Sequence, residues 1–167
     1  MASLDIGKAE AVAWIKEHYQ RGASCLDVGA CGGRWWRLVG DYLTMDAVEI
    51  FEPYVKTGKL YKKYKNVFIA DIRGFEYEHY DLIIFGDVLE HMSVEDAQKV
   101  IEYAWNRCDN MIIAVPYGWE QGAIHGNPHE VHIQDDLTPE LFDLRYPGFV
   151  PIFQTDLYAY YVRRGDI

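Results

Sequence analysis

The stretch from Cys25 to Gly33, Cys-Leu-Asp-Val-Gly-Ala-Cys-Gly-Gly, most constrains what this chain can fold into. A short buried strand over Cys25 to Gly29 runs into a glycine-rich turn, and a helix begins near Arg34. Glycine admits positive φ and lets a ligand come close to the main chain. The helix that follows presents free N–H groups to whatever occupies the turn. At the carboxyl end of a first strand, such a turn forms the nucleotide-binding crevice of an open α/β sheet.

The rest of the chain supplies partners for that strand. Ile6, Ala9, Val12, Ala13 and Tyr19 recur at helical spacing, and Arg21-Gly22 closes that helix. Trp35, Trp36, Leu38 and Val39 lie on a short helix that Gly40 ends, and the paired tryptophans read as core. Thr44 to Ile50 is the second strand, Pro53 fits the first turn of a helix, and Val67 to Ala70 is the third strand. Leu82-Ile-Ile-Phe85 is an unbroken apolar run, expected of a strand covered on both faces. Ser93 with Asp96 three residues on signals a helix start. Val94, Ala97, Val100, Ile101, Ala104 and Trp105 form one face of that helix. Met111 to Val115 is another buried strand, stopped by Pro116. Strand and helix thus alternate, which implies a parallel sheet with crossover helices.

From Tyr117 the texture changes. Residues 117–136 have no period and are rich in Gly, His, Asn, Asp and Gln, the mark of a functional or mobile loop. A short helix over Leu137 to Leu144 follows. Val150 to Gln154 and Tyr158 to Arg163 then have hairpin-like spacing and predict an antiparallel pair at one sheet edge. With 167 residues and no linker or repeat, we expect one domain over residues 1–167.

A net charge of −10 argues against duplex nucleic acid or an anionic membrane as partner, since both require clustered cations. The Lys56, Lys59, Lys62, Lys63, Lys65 group reads as a solvated helix face. The three cysteines, Cys25, Cys31 and Cys108, form no Cys-x-x-Cys pair and fit a reducing compartment. With no signal-peptide pattern and no apolar run near the ~20 residues of a membrane span, the expected location is cytoplasmic.

Acidic residues mark the strand ends: Asp27, Glu49, Asp71 and Asp87. In a parallel sheet these ends share one edge. Four carboxylates there suit hydroxyls, an amine or a positive centre, and repel a pyrophosphate. Glu49 lies 22 residues beyond Asp27, near the ~20-residue gap at which an acid meets a ribose diol. The dinucleotide fingerprint Gly-x-Gly-x-x-Gly fails at Cys31 and Arg34, and no Walker phosphate loop occurs.

Here the chain resembles the class I S-adenosylmethionine-dependent methyltransferases. Leu26-Asp27-Val28-Gly29-Ala30-Cys31-Gly32-Gly33 resembles their first motif, Asp-x-Gly-x-Gly-x-Gly. Val48-Glu49-Ile50 resembles the ribose-binding acid, and Ala70-Asp71-Ile72 the adenine-contacting segment. Tyr80 to His91 resembles the fourth motif, an apolar strand followed by Asp-x-Leu-Glu-His, and Met111 to Pro116 the fifth strand. The resemblance implies a Rossmann-like, doubly wound, three-layer α/β/α domain. Its seven-stranded sheet would be mostly parallel with an antiparallel edge strand. It implies S-adenosyl-L-methionine as cofactor, held by Asp27, Gly29, Ala30, Gly33, Glu49, Ile50, Phe51, Asp71, Ile72 and Asp87. Glu49 would bond the ribose hydroxyls, Ile50 and Phe51 would flank the adenine, and Asp71 would reach its amino group. One departure stands out: Cys31 occupies the place of the family's middle glycine, where a side chain could crowd the methionine moiety or shift the loop.

Transfer of a methyl group from a sulfonium is an in-line displacement, and positioning supplies much of its catalysis. A hydroxyl or ammonium acceptor also needs a base. The candidates are His91, His129 and His132, with His125 and Glu130 beside them. His129, His132, Glu130 and Asp135 or Asp136 could hold a divalent metal, but the spacing matches no standard site and none is assigned. The expected acceptor is a hydroxyl or amine of a small molecule or glycan. The alternative is an S-adenosylmethionine-binding module without catalysis that acts as a partner subunit. The aromatic content permits a homodimer face and equally permits core.

Overall fold

The structure is a computed structural model and describes residues 5–165. In chain order the elements are α1 (Lys8–His18), β1 (Ser24–Val28), α2 (Arg34–Val39), β2 (Thr44–Glu49), α3 (Glu52–Thr57) and β3 (Val67–Ile69). There follow β4 (Tyr80–Gly86), α4 (Val94–Trp105), β5 (Cys108–Pro116), α5 (Pro139–Arg145), β6 (Val150–Gln154) and β7 (Tyr158–Arg164). The strands form one sheet in the order β3-β2-β1-β4-β5-β7-β6. β1 to β5 run parallel to one another, whereas β7 is antiparallel to both β5 and β6. The expected antiparallel pair therefore closes one edge, with β6 outermost and the reversed strand second from the edge.

Burial explains why the β4 run is unbroken. Ile83 and Phe85 point into one core layer, Leu82 and Ile84 into the other, and all four are fully buried. The first layer receives Ala97, Val100, Ile101 and Ala104 from α4 and Phe142 from α5. The second receives Ala11 and Ile15 from α1, Trp35 and Val39 from α2 and Val55 from α3. Helices thus cover both faces, and the domain has three layers. Local chemistry fixes the helix starts. Ser93 Oγ accepts from the Asp96 N–H at 3.1 Å to cap α4, and Thr138 Oγ1 accepts from the Leu141 N–H at 3.2 Å to cap α5.

The aperiodic segment 117–136 has a defined path. It contains a 3-10 turn at Pro128–Glu130 and an isolated bridge between Ile124 and Asn127. Buried Gln134 fastens it to the turn after β4. Its Nε2 donates to the carbonyls of Leu89 (2.8 Å) and Met92 (3.1 Å), while its Oε1 accepts from Tyr146 Oη (2.7 Å). No helix among the described residues is long and apolar enough to cross a membrane.

Candidate functional site

The strand order reverses at β1, whose two neighbours β2 and β4 are reached in opposite directions along the sheet. Connections diverge there and leave a crevice at the carboxyl ends of the strands. A cavity of about 310 Å³ occupies it. Val28 and Gly29 after β1, Glu49 and Ile50 after β2, Asp71 and Ile72 after β3, Asp87 after β4 and Pro116 of β5 contribute to its wall.

The glycine-rich turn forms one side. Its backbone takes positive φ at alternate positions, Gly29 (69°), Cys31 (46°) and Gly33 (76°). Cys31 therefore adopts a left-handed conformation, the one glycine takes at no steric cost. That conformation costs a side-chain-bearing residue ~1–2 kcal/mol. A Cβ on Gly29 would lie 2.6 Å from Val88 Cγ2, so close packing also demands glycine there.

Glu49 ties this turn to the end of β2. Its Oε2 accepts from the Cys31 N–H and its Oε1 from the Phe51 N–H, each at 2.8 Å. The side chain is only 4% exposed. Burial raises its pKa, and the two backbone donors oppose that rise. The carboxylate is thus held rigid on the cavity wall.

Glu90 and His91, on the 3-10 turn Leu89–His91, also line the cavity. His129, Glu130 and His132 come from the aperiodic segment, so all three candidate bases line the cavity, with His129 close enough to Glu49 and Asp71 to act on their charges. The rings of His91 and His132 meet edge to face with centroids 4.8 Å apart. Burial lowers the pKa of His91. Asp87 stands beside them with φ 57° and accepts a hydrogen bond from Tyr158 Oη of β7.

A family model described as mitochondrial small ribosomal subunit Rsm22 matches residues 3–130. The chain belongs to the Rsm22 family. No curated protein matches it. Solved structures share the fold of this Rsm22-family chain across nearly its whole length. One is a Burkholderia thailandensis 1,6-didemethyltoxoflavin-N1-methyltransferase with bound 1,6-didemethyltoxoflavin and S-adenosylhomocysteine. It is 20% identical, with a TM-score of 0.67 over 97% of this chain and 82% of that one. An S-adenosylmethionine-dependent methyltransferase from Clostridium acetobutylicum is 11% identical, with a TM-score of 0.74 over 99% and 94%. The N-methyltransferase NodS from Bradyrhizobium japonicum is 11% identical, with a TM-score of 0.65 over 98% of each. The fold is that of the class I S-adenosylmethionine-dependent methyltransferases.

In this Rsm22-family chain, Gly29, Ala30, Glu49, Ile50, Asp71, Ile72 and Asp87 line the cavity. Asp27, Gly33 and Phe51 do not. The alternation of β1 turns Asp27 beneath the floor, where it is fully buried and accepts from Tyr64 Oη at 2.5 Å. Its pKa is raised to about 7: burial raises it most, the Tyr64 hydrogen bond opposes the rise, and the negative charge of Glu49 adds to it. The space on the Cβ side of Gly33 is filled by Leu60 and Lys63. Phe51 packs edge-on against Tyr54, which leaves Ile50 alone of the expected adenine pair on the wall. Asp71 reaches the cavity with both oxygens engaged by Arg73, at 2.5–3.0 Å, instead of free for an amino group.

The structure also regroups the candidate metal ligands. Asp136 is held by Arg145 at 2.6 Å, away from the histidines. The potential ligands that converge are Glu90, His91 and His132. Glu90 lies within the fourth motif, but nothing in its spacing distinguishes an acid facing the cavity from one facing solvent. Trp35 also reaches the wall from the core, as does Tyr158 from the far edge of the sheet.

Proposed function

We propose that this chain is an S-adenosylmethionine-dependent methyltransferase. The observation that carries the reading is the Glu49 carboxylate. It is buried on the cavity wall and clamps a turn with left-handed backbone at 29, 31 and 33. That pairing of an anchored acid with an open main-chain cradle fits a ribose beside an amino-acid moiety, and the acidic lining suits a sulfonium. When bound, S-adenosylmethionine supplies an electrophilic methyl group on a good leaving group.

The chain's own residues then position and deprotonate. Glu49, Ile50 and Ile72 hold the nucleoside end, and the 29–32 backbone holds the methionine end. His91, His129 and His132 line the space for the acceptor, a hydroxyl or amine of a small molecule or glycan, and supply the base that takes its proton. All three cysteines are free thiols, which supports the cytoplasm as the working compartment. The family match favours a second reading, since its description is that of a ribosomal subunit protein: a cofactor-binding partner subunit without turnover.

Calorimetric titration with S-adenosylhomocysteine tests the proposal. The wild type should bind at micromolar Kd, and Glu49→Ala should weaken binding tenfold or more, because a hydrogen bond to a charged group is worth ~1.5–3 kcal/mol. No binding by folded wild type overturns the reading. Binding without methyl transfer to any hydroxyl or amine acceptor selects the partner-subunit alternative.

A further inference from the structure

The acceptor wall holds a cluster that proton transfer alone does not require. One ring nitrogen each of His91 and His132 and one carboxylate oxygen of Glu90 lie within 4.8 Å of one another. His91 Nδ1 is 3.1 Å from the Val131 carbonyl oxygen, and His132 Nδ1 is 2.6 Å from that of Trp119. A carbonyl only accepts, so both Nδ1 atoms carry the proton and both Nε2 atoms present a lone pair. Backbone carbonyls hold metal-ligating histidines in this way.

Glu90 makes the independent case. It is 1% exposed, it lines the cavity, and neither carboxylate oxygen meets a hydrogen-bond donor from another of the described residues. A buried carboxylate without a partner is costly, and a cation removes that cost. Asp87 and Glu130 stand near enough to add their negative potential at the same point.

We propose that Glu90, His91 and His132 bind one divalent transition-metal ion. Two imidazoles and one carboxylate suit Zn²⁺, Fe²⁺ or Mn²⁺, whereas Mg²⁺ and Ca²⁺ prefer oxygen ligands throughout. Three protein ligands leave coordination positions open towards the cavity. An acceptor hydroxyl ligated there loses its proton more readily, and His129, which lines the same cavity, takes that proton. This use selects a hydroxyl-bearing acceptor and rests on the methyltransferase reading. The ion site itself does not.

The test is titration of chelator-treated protein with Co²⁺, followed by visible d–d absorption, with Zn²⁺ content measured by mass spectrometry after dialysis. The wild type should take up one equivalent of either ion. Glu90→Gln and His132→Ala should each weaken binding about tenfold or more, while His79→Ala, which removes a histidine paired with Asp109, leaves it unchanged. Circular dichroism establishes that each variant is folded. If His132→Ala does not fold, Glu90→Gln alone decides. Uptake well below one equivalent overturns the site, as does affinity retained in the folded site variants. S-adenosylhomocysteine binding is measured on the same preparation. Loss of that binding with Co²⁺ uptake intact refutes the methyltransferase reading and leaves the ion site standing. The reverse result refutes the site alone.

Discussion

Replacing Asp27 by Asn should change how stability depends on pH. Asp27 is fully buried, with one oxygen bonded to Tyr64 and the other, Oδ1, without a donor among the described residues. Burial holds its carboxyl near pKa 7 against an ordinary value of 3.8. The folded chain therefore binds this proton more tightly than the unfolded chain. Stability from the group is fully present below pH 3.8 and is lost as pH rises through about 7. At about 1.36 kcal/mol per unit, the whole loss is on the order of 4 kcal/mol. For a domain of this size that is roughly 8–16 °C in Tm. Asp27→Asn keeps the shape and an acceptor for Tyr64 but cannot ionise. Urea denaturation of both proteins at pH 4, 5, 6, 7 and 8 isolates the effect in the difference between them, since other titrating groups cancel. The variant should gain on the wild type by several kcal/mol from pH 4 to pH 8. A difference that stays flat across this range, or slopes the other way, refutes a raised pKa at Asp27.

Three further predictions concern the cradle and the core. Cys31→Gly should stabilise the protein by up to about 1 kcal/mol in urea denaturation. Relief of left-handed strain worth ~1–2 kcal/mol outweighs the entropy that glycine adds to the unfolded chain. A loss of stability would show that Cys31 is unstrained. Cys31 is exposed as a residue, but partial burial of its sulfur and the charge of Glu49 push its pKa up to about 11. Its alkylation, followed by mass spectrometry, should be slow at pH 8 and rise about tenfold per pH unit up to pH 10, and a pH-independent rate would contradict this. Phe142→Ala removes a fully buried ring stacked on Tyr161 at 3.8 Å and should cost about 3–5 kcal/mol in urea denaturation, and a cost below ~1 kcal/mol would mean the first core layer collapses around the gap.

Much of the architecture was legible in the residues because it follows from local periodicity. The Leu82 to Phe85 run, the helical face from Ala97 to Ala104 and the Ser93 cap each need only neighbours a few positions away. The strand-end acids Glu49, Asp71 and Asp87 were legible for the same reason, since parallel strands must bring their ends to one edge. Side-chain direction was not. Asp27 reads like the other acids but turns under the floor, because alternation along β1 sends it towards Tyr64. Asp71 was located correctly and yet is occupied by Arg73.

The sequence by itself determined the alternating strands and helices, the glycine-rich turn and the edge on which the acids collect. Only the tertiary structure decided that Cys31 adopts the glycine's backbone conformation, because Glu49 seizes its N–H from another strand. Only the tertiary structure brought Glu90 and His91 against His132, some forty residues on, because Gln134 pins an aperiodic segment to the turn after β4. Those contacts join distant parts of the chain through single side chains, and no local period encodes them.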